Sequence, residues 1–493
     1  MRPSIQTILR AALLGVATGV VLGLHSDPDL WGHLRGGFDF LDTFTVPSTD
    51  TYSFTATAGQ SWINHEWLFD VIVALIYRTV GPVGFSIAAG LLALASIAVA
   101  RYAARGAGVD GWRLDALTAA VFLLGIAPLL QTFRAQEISA LLFLTLLASI
   151  RAFDAGKRAS LWVLPPLFLL WANLHGGWVL GGTILAVWAT TRFAASPRDP
   201  ARQLLIGVCA VAAVSTFVNP DGTHLWRFLL ETVRLARSDI REWQSVVTSV
   251  PMLAAWCATT AVLAAGAWRA PRGARVYLVL AAFTAVSSFR VMRLLPFHAM
   301  TVFVLVAPWL LSSGSAEPRA NPRPSFARRD WVVATVVWAI VVGGSVGSSG
   351  RIGCLQPGGA FSLDGRAGHF LRDNHAEGRL LVYFDWGEYV LWHLGPRLKV
   401  SIDGRRETVY SAQTIAQHQT FYKAQPGARA YLEELDPDLV WLPRKVAVSK
   451  LIGDWGWQPI FESRESIIWA RDASARQWQP AQQPEPSRCF PGP

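Results

Sequence analysis

The stretch SDPDLWGHLRGG, residues 26–37, contains residue types and spacings that suit acid–base chemistry. Asp27 and Asp29 are separated by one proline, and His33 follows in the next turn of chain. A positioned carboxylate accepts a proton from an attacking hydroxyl, and two carboxylates with a histidine also suit a divalent cation. The stretch predicts Asp29, with Asp27 beside it, as a catalytic base. A metal held by Asp27, Asp29 and His33 is the alternative use of the same residues.

Polar residues also follow or precede several apolar segments further along the chain. Arginine meets phosphate bidentately, while asparagine and histidine suit ligand hydroxyls. A single such residue is commonly a helix cap, but as a set they favour a binding site for a phosphate joined to a hydroxyl-rich group, most simply a polyprenyl-phosphate sugar. The predicted substrate-binding residues are His33, His65, Glu66, Arg134, Gln136, Glu137, Asn173, His175, Asn219, Arg290 and Arg293.

The composition indicates that membrane helices must position these residues. Of 493 residues, 52% are hydrophobic and only 16% are charged, against about 25% charged in soluble domains. Much of the net charge of +10 lies between apolar segments. This positive charge is better explained as a signal of membrane topology than as a site for nucleic acid. Eleven runs are long enough to span a membrane, or nearly so: 7–24, 83–100, 114–131, 136–150, 160–174, 177–191, 203–218, 249–268, 274–289, 295–312 and 330–347.

Basic residues predict the orientation of these spans. The segment 67–78 is short and contains Asp70, so a helix lying in the membrane interface fits it better than a span. With the N-terminus in the cytoplasm, the loops facing the cytoplasm all carry arginine or lysine, as the positive-inside rule requires. The candidate polar residues then fall on the outer side of an inner, cytoplasmic membrane.

A different pattern begins near residue 348. Short apolar strands, RLLVYFD, LKVSID, DLVWL and IIWAR, alternate with the helical segments 411–424 and 428–435, which indicates an α/β domain with a mainly parallel sheet. We therefore expect a transmembrane domain over 1–347 with a first outer loop at 25–82, an extracytoplasmic domain over 348–475, and a disordered tail over 476–493. Cys354 and Cys489 either pair in an oxidising compartment or remain free.

Together these segments resemble a known bacterial family. SDPDLWGHLRGG, PSTDTYSFTATAGQSWINHEWLFD, WANLHGGWVLG, VNPDG, SFRVMRLLPF and FDWGEYVLWHLGPRLKVSIDGRRE are similar to polytopic proteins grouped with GT-C-fold, lipid-carrier-dependent glycosyltransferases. Relatives include protein O-mannosyltransferases and the lipid A aminoarabinose transferase. The resemblance covers about 5–475 and implies a fold more than one reaction.

The resemblance implies an acidic motif directly after the first helix, which Asp27-Pro28-Asp29 matches, and then interfacial helices, which match 67–78. The chain departs at Gly32, where the family often has tryptophan. DWGEYVLW, 385–392, is loosely similar to the WWDYG acceptor-binding motif of oligosaccharyltransferase catalytic subunits, with the acidic residue displaced.

The sequence thus predicts a polytopic α-helical membrane protein with about 11 spans and a C-terminal α/β domain. The expected function is sugar transfer from a polyprenyl-phosphate donor to an acceptor glycan, lipid or protein, without nucleic acid and with a divalent metal as an optional cofactor. A flippase or transporter of lipid-linked sugars, and a non-catalytic envelope polysaccharide assembly protein, are the rival functions. For Asp403 to Arg406, a loop that binds the acceptor or caps the cavity competes with a strand-end turn closed by an Arg–Asp pair.

Overall fold

The computed structural model describes residues 5–56, 62–232, 237, 240–271, 273–312, 328–349, 354–358, 361–472, 478–479 and 489–492. Its α-helices, in chain order, are α1 Ile5–Leu22, α2 Leu30–Thr43, α3 Trp67–Val80, α4 Val83–Gly106, α5 Gly111–Val121, α6 Ala135–Asp154, α7 Leu164–Leu174, α8 Trp178–Ala195, α9 Arg202–Ser215, α10 Thr223–Thr232, α11 Val250–Trp268, α12 Arg275–Arg290, α13 Leu295–Thr301, α14 Pro308–Leu311, α15 Arg328–Ser349, α16 Gly365–Asp373, α17 Gly387–His393, α18 Ala412–Tyr422 and α19 Ala428–Leu435.

The chain divides into two compact units, which differ from the domains expected from sequence. Unit 1 comprises residues 1–24 and 86–352, and unit 2 comprises 25–85 and 353–493. The first outer loop therefore packs with the C-terminal region, whereas its position between two apolar helices assigned it to the transmembrane domain.

Unit 1 is helical, and each of the eleven apolar runs contains a helix. Within the described residues, α1, α4, α6 and α11 are each long and apolar enough to cross a membrane. Two of the other runs contain π-helical segments, Phe122–Ile126 after α5 and Val302–Val306 after α13. The helices of these two runs touch where a Cβ on Gly125 would lie 2.5 Å from the side chain of Met300.

Unit 2 contains a mixed five-stranded sheet. Its strands are β1 Gly378–Val382, β2 Leu398–Val400, β3 Leu439–Pro443, β4 Gln458–Glu462 and β5 Ser466–Ala470, in the order β2-β1-β3-β5-β4. Strand β1 is parallel to β2 and β3, whereas β5 is antiparallel to both β3 and β4. The four strands expected from sequence are present and β4 is an additional strand, but the sheet is mixed rather than mainly parallel, because β5 pairs antiparallel with both β3 and β4.

The first outer loop joins this sheet through backbone hydrogen bonds. The amide of Val400 donates to the carbonyl of Tyr52 at 2.9 Å, and the amide of Phe54 donates to the carbonyl of Val400 at 3.1 Å. Helices α2 and α3 pack closely in this loop because Gly37 has no side chain, and a Cβ there would overlap the backbone of Asp70. The predicted interfacial segment 67–78 is helical as α3.

A disulfide ties the end of the chain to unit 2. Cys354 and Cys489 are bonded, with their Cα atoms 5.0 Å apart. Next to it, Phe490 is only 2% exposed and its ring lies 5.3 Å from that of Trp31. The Trp31 indole donates to the carbonyl of Pro491 at 2.7 Å. The expectation of a disordered tail is therefore wrong for residues 489–492, because covalent and aromatic anchors offset its Pro-rich composition.

Removing this disulfide should destabilise unit 2. The bond closes a loop with a sequence separation of 135 residues, and losing such a bond costs about 2–5 kcal/mol. We expect the C354S/C489S variant to unfold at a lower temperature in detergent, and a reductant to have the same effect on the wild type. The matched control is C257S, since Cys257 is an exposed free thiol. Equal melting temperatures for wild type and double variant would contradict this prediction.

Candidate active site

Unit 2 contains a cavity of about 110 Å³ that is lined by polar and charged side chains. Four segments form its wall: the start of α2, the loop before α3, the start of α17 and the turn after β2. The lining residues are Asp29, Gly32, His33, Trp62, Ile63, Asn64, His65, Glu66, Asp70, Glu388, Gly404, Arg405 and Thr408. The structure thus brings together Asp29, His33, His65 and Glu66, all predicted as site residues.

Asp27 and Asp29 have different roles in the local fold. Asp27 is 3% exposed and its Oδ1 accepts a hydrogen bond from the backbone amide of Asp29 at 3.0 Å. Asp29 occupies the N-cap position of α2 but makes no side-chain capping bond to that helix. Its carboxylate lies against the backbone of Gly404, so that a Cβ added to Gly404 would overlap the Asp29 carboxylate. Asp27 therefore shapes the turn, and Asp29 presents its carboxylate to the cavity.

His33 forms an ion pair with Asp70, with Nδ1 2.6 Å from Oδ1. Its Nε2 lies 3.7 Å from Glu66, and the amide of Asn64 donates to Asp70 at 2.7 Å. Burial by itself would lower the pKa of His33, but the Asp70 carboxylate outweighs it and raises that pKa to about 9. The imidazole is therefore a cation at neutral pH and lies next to the cavity.

Glu388 is an acidic residue of this cavity that was not predicted from the sequence. It lies in the first turn of α17, is 4% exposed, and accepts a hydrogen bond from the amide of Gly32 at 3.0 Å. Burial raises the pKa of Glu388 well above its usual range, and the nearby carboxylates of Asp29 and Asp403 raise it further. The sequence signal for it was DWGEYVLW, the loose match to the WWDYG motif. Of the two acidic residues in this segment, Glu388 lines the cavity and Asp385 does not.

The Asp403–Arg406 turn has a structural role at its first and third residues. Arg405 donates to Asp403 at 2.7 Å and to Asp50 at 2.6 Å, and the Tyr410 hydroxyl donates to Asp403 at 2.6 Å. Although burial opposes it, the guanidinium lowers the pKa of Asp50. The Arg–Asp pair is observed and ties the first outer loop to the turn after β2, while Gly404 and Arg405 of the same turn also line the cavity.

The residues named as the alternative metal ligands, Asp27, Asp29 and His33, are held by other contacts. Both ring nitrogens of His33 face carboxylates, Asp70 and Glu66, and one Asp27 oxygen is bonded to the backbone of Asp29. Across the described ranges, no group of three or more His, Cys, Asp or Glu side chains is arranged to hold a metal ion. The donor set Asp27, Asp29 and His33 therefore does not fit a divalent cation, and no step is assigned to one.

In unit 1, two of the predicted arginines share one carboxylate. Arg293 lies 2.8 Å from Glu242, and Arg134 lies 3.6 Å from it. The guanidinium of Arg293 also lies 5.7 Å from the ring of Trp243. We call Arg134, Glu242 and Arg293 the arginine cluster. Glu242 and Trp243 were missed because their segment is too short and too irregular for a periodic signal.

The other predicted site residues of unit 1 lie apart from the arginine cluster. Gln136 and Glu137 are buried in the first turn of α6, directly after Arg134. His175 pairs with Ser139 at 2.6 Å. The amide of Asn173 donates to the carbonyls of Leu169 and Val218, and that of Asn219 to Thr216, so both asparagines hold backbone turns. Arg290 is exposed at the end of α12.

Comparison with solved structures identifies the fold as the GT-C fold of membrane glycosyltransferases. The chain is similar to the Archaeoglobus fulgidus oligosaccharyltransferase, with a TM-score of 0.59, 11% identity, and coverage of 95% of this chain and 74% of that one. No family model matches the sequence, and no curated protein matches it.

Two further structures share this fold. ArnT from Cupriavidus metallidurans, bound to undecaprenyl phosphate, has a TM-score of 0.52 at 13% identity and covers 96% of this chain and 98% of its own. The mycobacterial arabinofuranosyltransferase AftD has a TM-score of 0.55 at 16% identity, and this chain spans 40% of its length. The resemblance to GT-C enzymes noted in the sequence is therefore confirmed at the level of fold.

The ion pair of His33 should make stability depend on pH in one direction. Its folded-state pKa of about 9 lies above the ordinary value of 6.5, so the pair stabilises fully below pH 6.5 and is lost as pH rises through 9. At about pH 6 the free energy of unfolding of the wild type should exceed that of H33Q by on the order of 3 kcal/mol, and the difference should fall towards zero as the pH rises through about 9. H224Q, at an exposed position of α10, is the control. A difference that is constant with pH would contradict the assignment.

Proposed function

We propose that this protein is a membrane glycosyltransferase that moves a sugar from a polyprenyl-phosphate donor to an acceptor hydroxyl at the outer face of the cytoplasmic membrane. The observation that carries the proposal is the Asp29 carboxylate, which lines a small cavity in a chain with the GT-C fold. The structure of ArnT, which contains undecaprenyl phosphate, supports the donor class by analogy.

The reaction follows from the groups in the cavity. Asp29 accepts the proton of the acceptor hydroxyl while the hydroxyl oxygen bonds to the anomeric carbon of the donor sugar. The bond from that carbon to the phosphate oxygen breaks, and its electron pair leaves with the phosphate. Because the phosphate leaves as an anion, no general acid is required, and one displacement inverts the anomeric centre. The transition state is oxocarbenium-like and carries positive charge.

The arginine cluster suits the lipid phosphate. Guanidinium groups meet phosphate bidentately. Arg134 and Arg293 each lie near one end of a helix, where the proposed orientation would place a lipid headgroup. Glu242 holds them together at 3.6 Å and 2.8 Å, so a phosphate would compete with this carboxylate for the same donors. The residues proposed to bind the lipid phosphate all belong to unit 1.

The proposed orientation places unit 2 outside the cytoplasm. Disulfides persist in oxidising compartments, and the Cys354–Cys489 bond belongs to this unit. The basic loops between apolar segments support the same orientation. His65 and Glu66 line the cavity and we propose that they contact the sugar or the acceptor.

Neutralising Asp29 should abolish transfer without loss of donor binding. Removing a general base costs about 10²–10⁴-fold in rate, so D29N should lose at least a hundredfold in kcat, measured with a radiolabelled polyprenyl-phosphate sugar in proteoliposomes. D42N, on the exposed side of the same helix, is the matched control and should retain full activity. Normal transfer by D29N would exclude Asp29 as the base, and sugar-lipid translocation without transfer would indicate a flippase.

The arginine cluster gives two variants with opposite expected effects. R293Q should raise the KM for the lipid donor about tenfold, since a charge-assisted bond contributes about 1.5–3 kcal/mol. E242Q should lower that KM, because it removes the carboxylate that competes with phosphate. If Arg293 served only the fold, both variants would break the same ion pair and change KM alike. R227Q, at an exposed ion pair of α10, is the control.

A further inference from the structure

The start of α2 has an unusual arrangement of hydrogen-bond acceptors. An aspartate at an N-cap position ordinarily accepts a hydrogen bond from the second or third amide of its helix. Asp29 is the N-cap of α2 and makes no such bond. The third amide, that of Gly32, donates instead to Glu388 at 3.0 Å, across a sequence separation of 356 residues. Glu388 thus accepts the amide that an N-cap aspartate at position 29 would ordinarily accept.

Two glycines make room for this exchange. A Cβ on Gly32 would overlap the carboxylate of Glu388, and a Cβ on Gly404 would overlap Asp29 and lie 2.8 Å from Glu388. The two carboxylates therefore meet between two backbone positions that lack side chains. Gly32, which departs from the tryptophan common in the similar family, is the position that admits Glu388. The departure does not loosen the packing, because the Glu388 carboxylate fills the space.

Other carboxylates near Asp29 and Glu388 are already engaged. Asp403 is held by Arg405 and Tyr410, and Asp27 accepts the amide of Asp29. The Gly32 amide donates to Glu388, and the Asp29 side chain makes no capping bond to α2 but lines the cavity.

We propose that Glu388 is a positioning residue, which caps α2 from the C-terminal domain and thereby keeps the Asp29 carboxylate turned into the cavity rather than onto its own helix. This inference rests on the proposed function only in naming Asp29 as the base. The capping exchange itself stands on the geometry of unit 2 and is measurable without any substrate.

The first test is a substrate-free cycle of D29A, E388A and the double variant, followed by hydrogen exchange of the backbone amides at residues 30–34. D29A alone should leave exchange unchanged, because Glu388 still caps the helix. E388A alone should change it little, because Asp29 rotates to take over the cap. The double variant should exchange about fivefold faster, since losing an N-cap costs about 1 kcal/mol. Additive or absent effects would overturn the inference.

The second test separates positioning from binding. E388A should lower kcat about tenfold to a hundredfold while the donor KM stays within twofold, because Asp29 is drawn onto α2. E388Q keeps an oxygen that accepts the Gly32 amide, so its kcat should stay within about threefold of wild type. G32A, whose Cβ displaces the Glu388 carboxylate, should reproduce E388A and add nothing to it. Each kcat is taken per folded molecule, and E433A, on the exposed face of α19, is the control.

The outcomes keep the two proposals distinguishable. If D29A retains transfer, the proposed base is wrong, while the exchange cycle still decides the capping inference. If E388A retains wild-type kcat, or if E388Q falls as far as E388A, the positioning role is wrong even when D29N is inactive.

Discussion

The bond from the Gly32 amide to the Glu388 carboxylate is the contact on which the acidic cavity depends. It joins the start of α2 to the start of α17 and replaces a local helix cap with a long-range one. An N-cap formed within the helix would hold Asp29 against its own backbone. Because the hydrogen-bond acceptor, Glu388, comes from a distant segment, the Asp29 side chain is not needed to cap the helix. Its direction is therefore independent of the local fold of the DPD turn.

Electrostatics explains why Glu388 is bonded to a backbone amide and not paired with a cation among the described residues. Burying a carboxylate is costly unless hydrogen bonds or a cation compensate, and the cations near the cavity are already committed. Arg405 is shared by Asp50 and Asp403, and His33 is paired with Asp70. Glu388 receives one backbone amide, and burial raises its pKa well above the usual range. The raised pKa favours the protonated form of Glu388, which avoids placing two adjacent negative charges in a small cavity.

Sequence patterns predicted the parts of this structure that depend on local periodicity. The helix over 67–78 and four strands follow from runs of apolar residues, whereas β4 was missed because Pro459 interrupts it, and the strand tolerates this proline at the edge of the sheet. The DPD motif and His33 were identified from residue type. The role of Glu388 was not, because only the folded chain brings α17 to α2. Asn173 and Asn219 show why residue type alone is ambiguous, since residues that suit a ligand also donate to backbone carbonyls.

The grouping of the first outer loop with the C-terminal domain has a consequence for how the fold carries chemistry. Identities of 11–16% with the similar structures leave the GT-C fold intact while most side chains differ, so a site cannot be transferred by fold alone. In this chain the candidate base is positioned by groups within unit 2: the Glu388 carboxylate, the Arg405 ion pairs with Asp50 and Asp403, and the backbone pairing of Tyr52 and Phe54 with Val400. A C-terminal domain built in this way acts on Asp29 directly. Changes in the C-terminal sequence therefore bear on the chemistry of the first outer loop as well as on the stability of the domain.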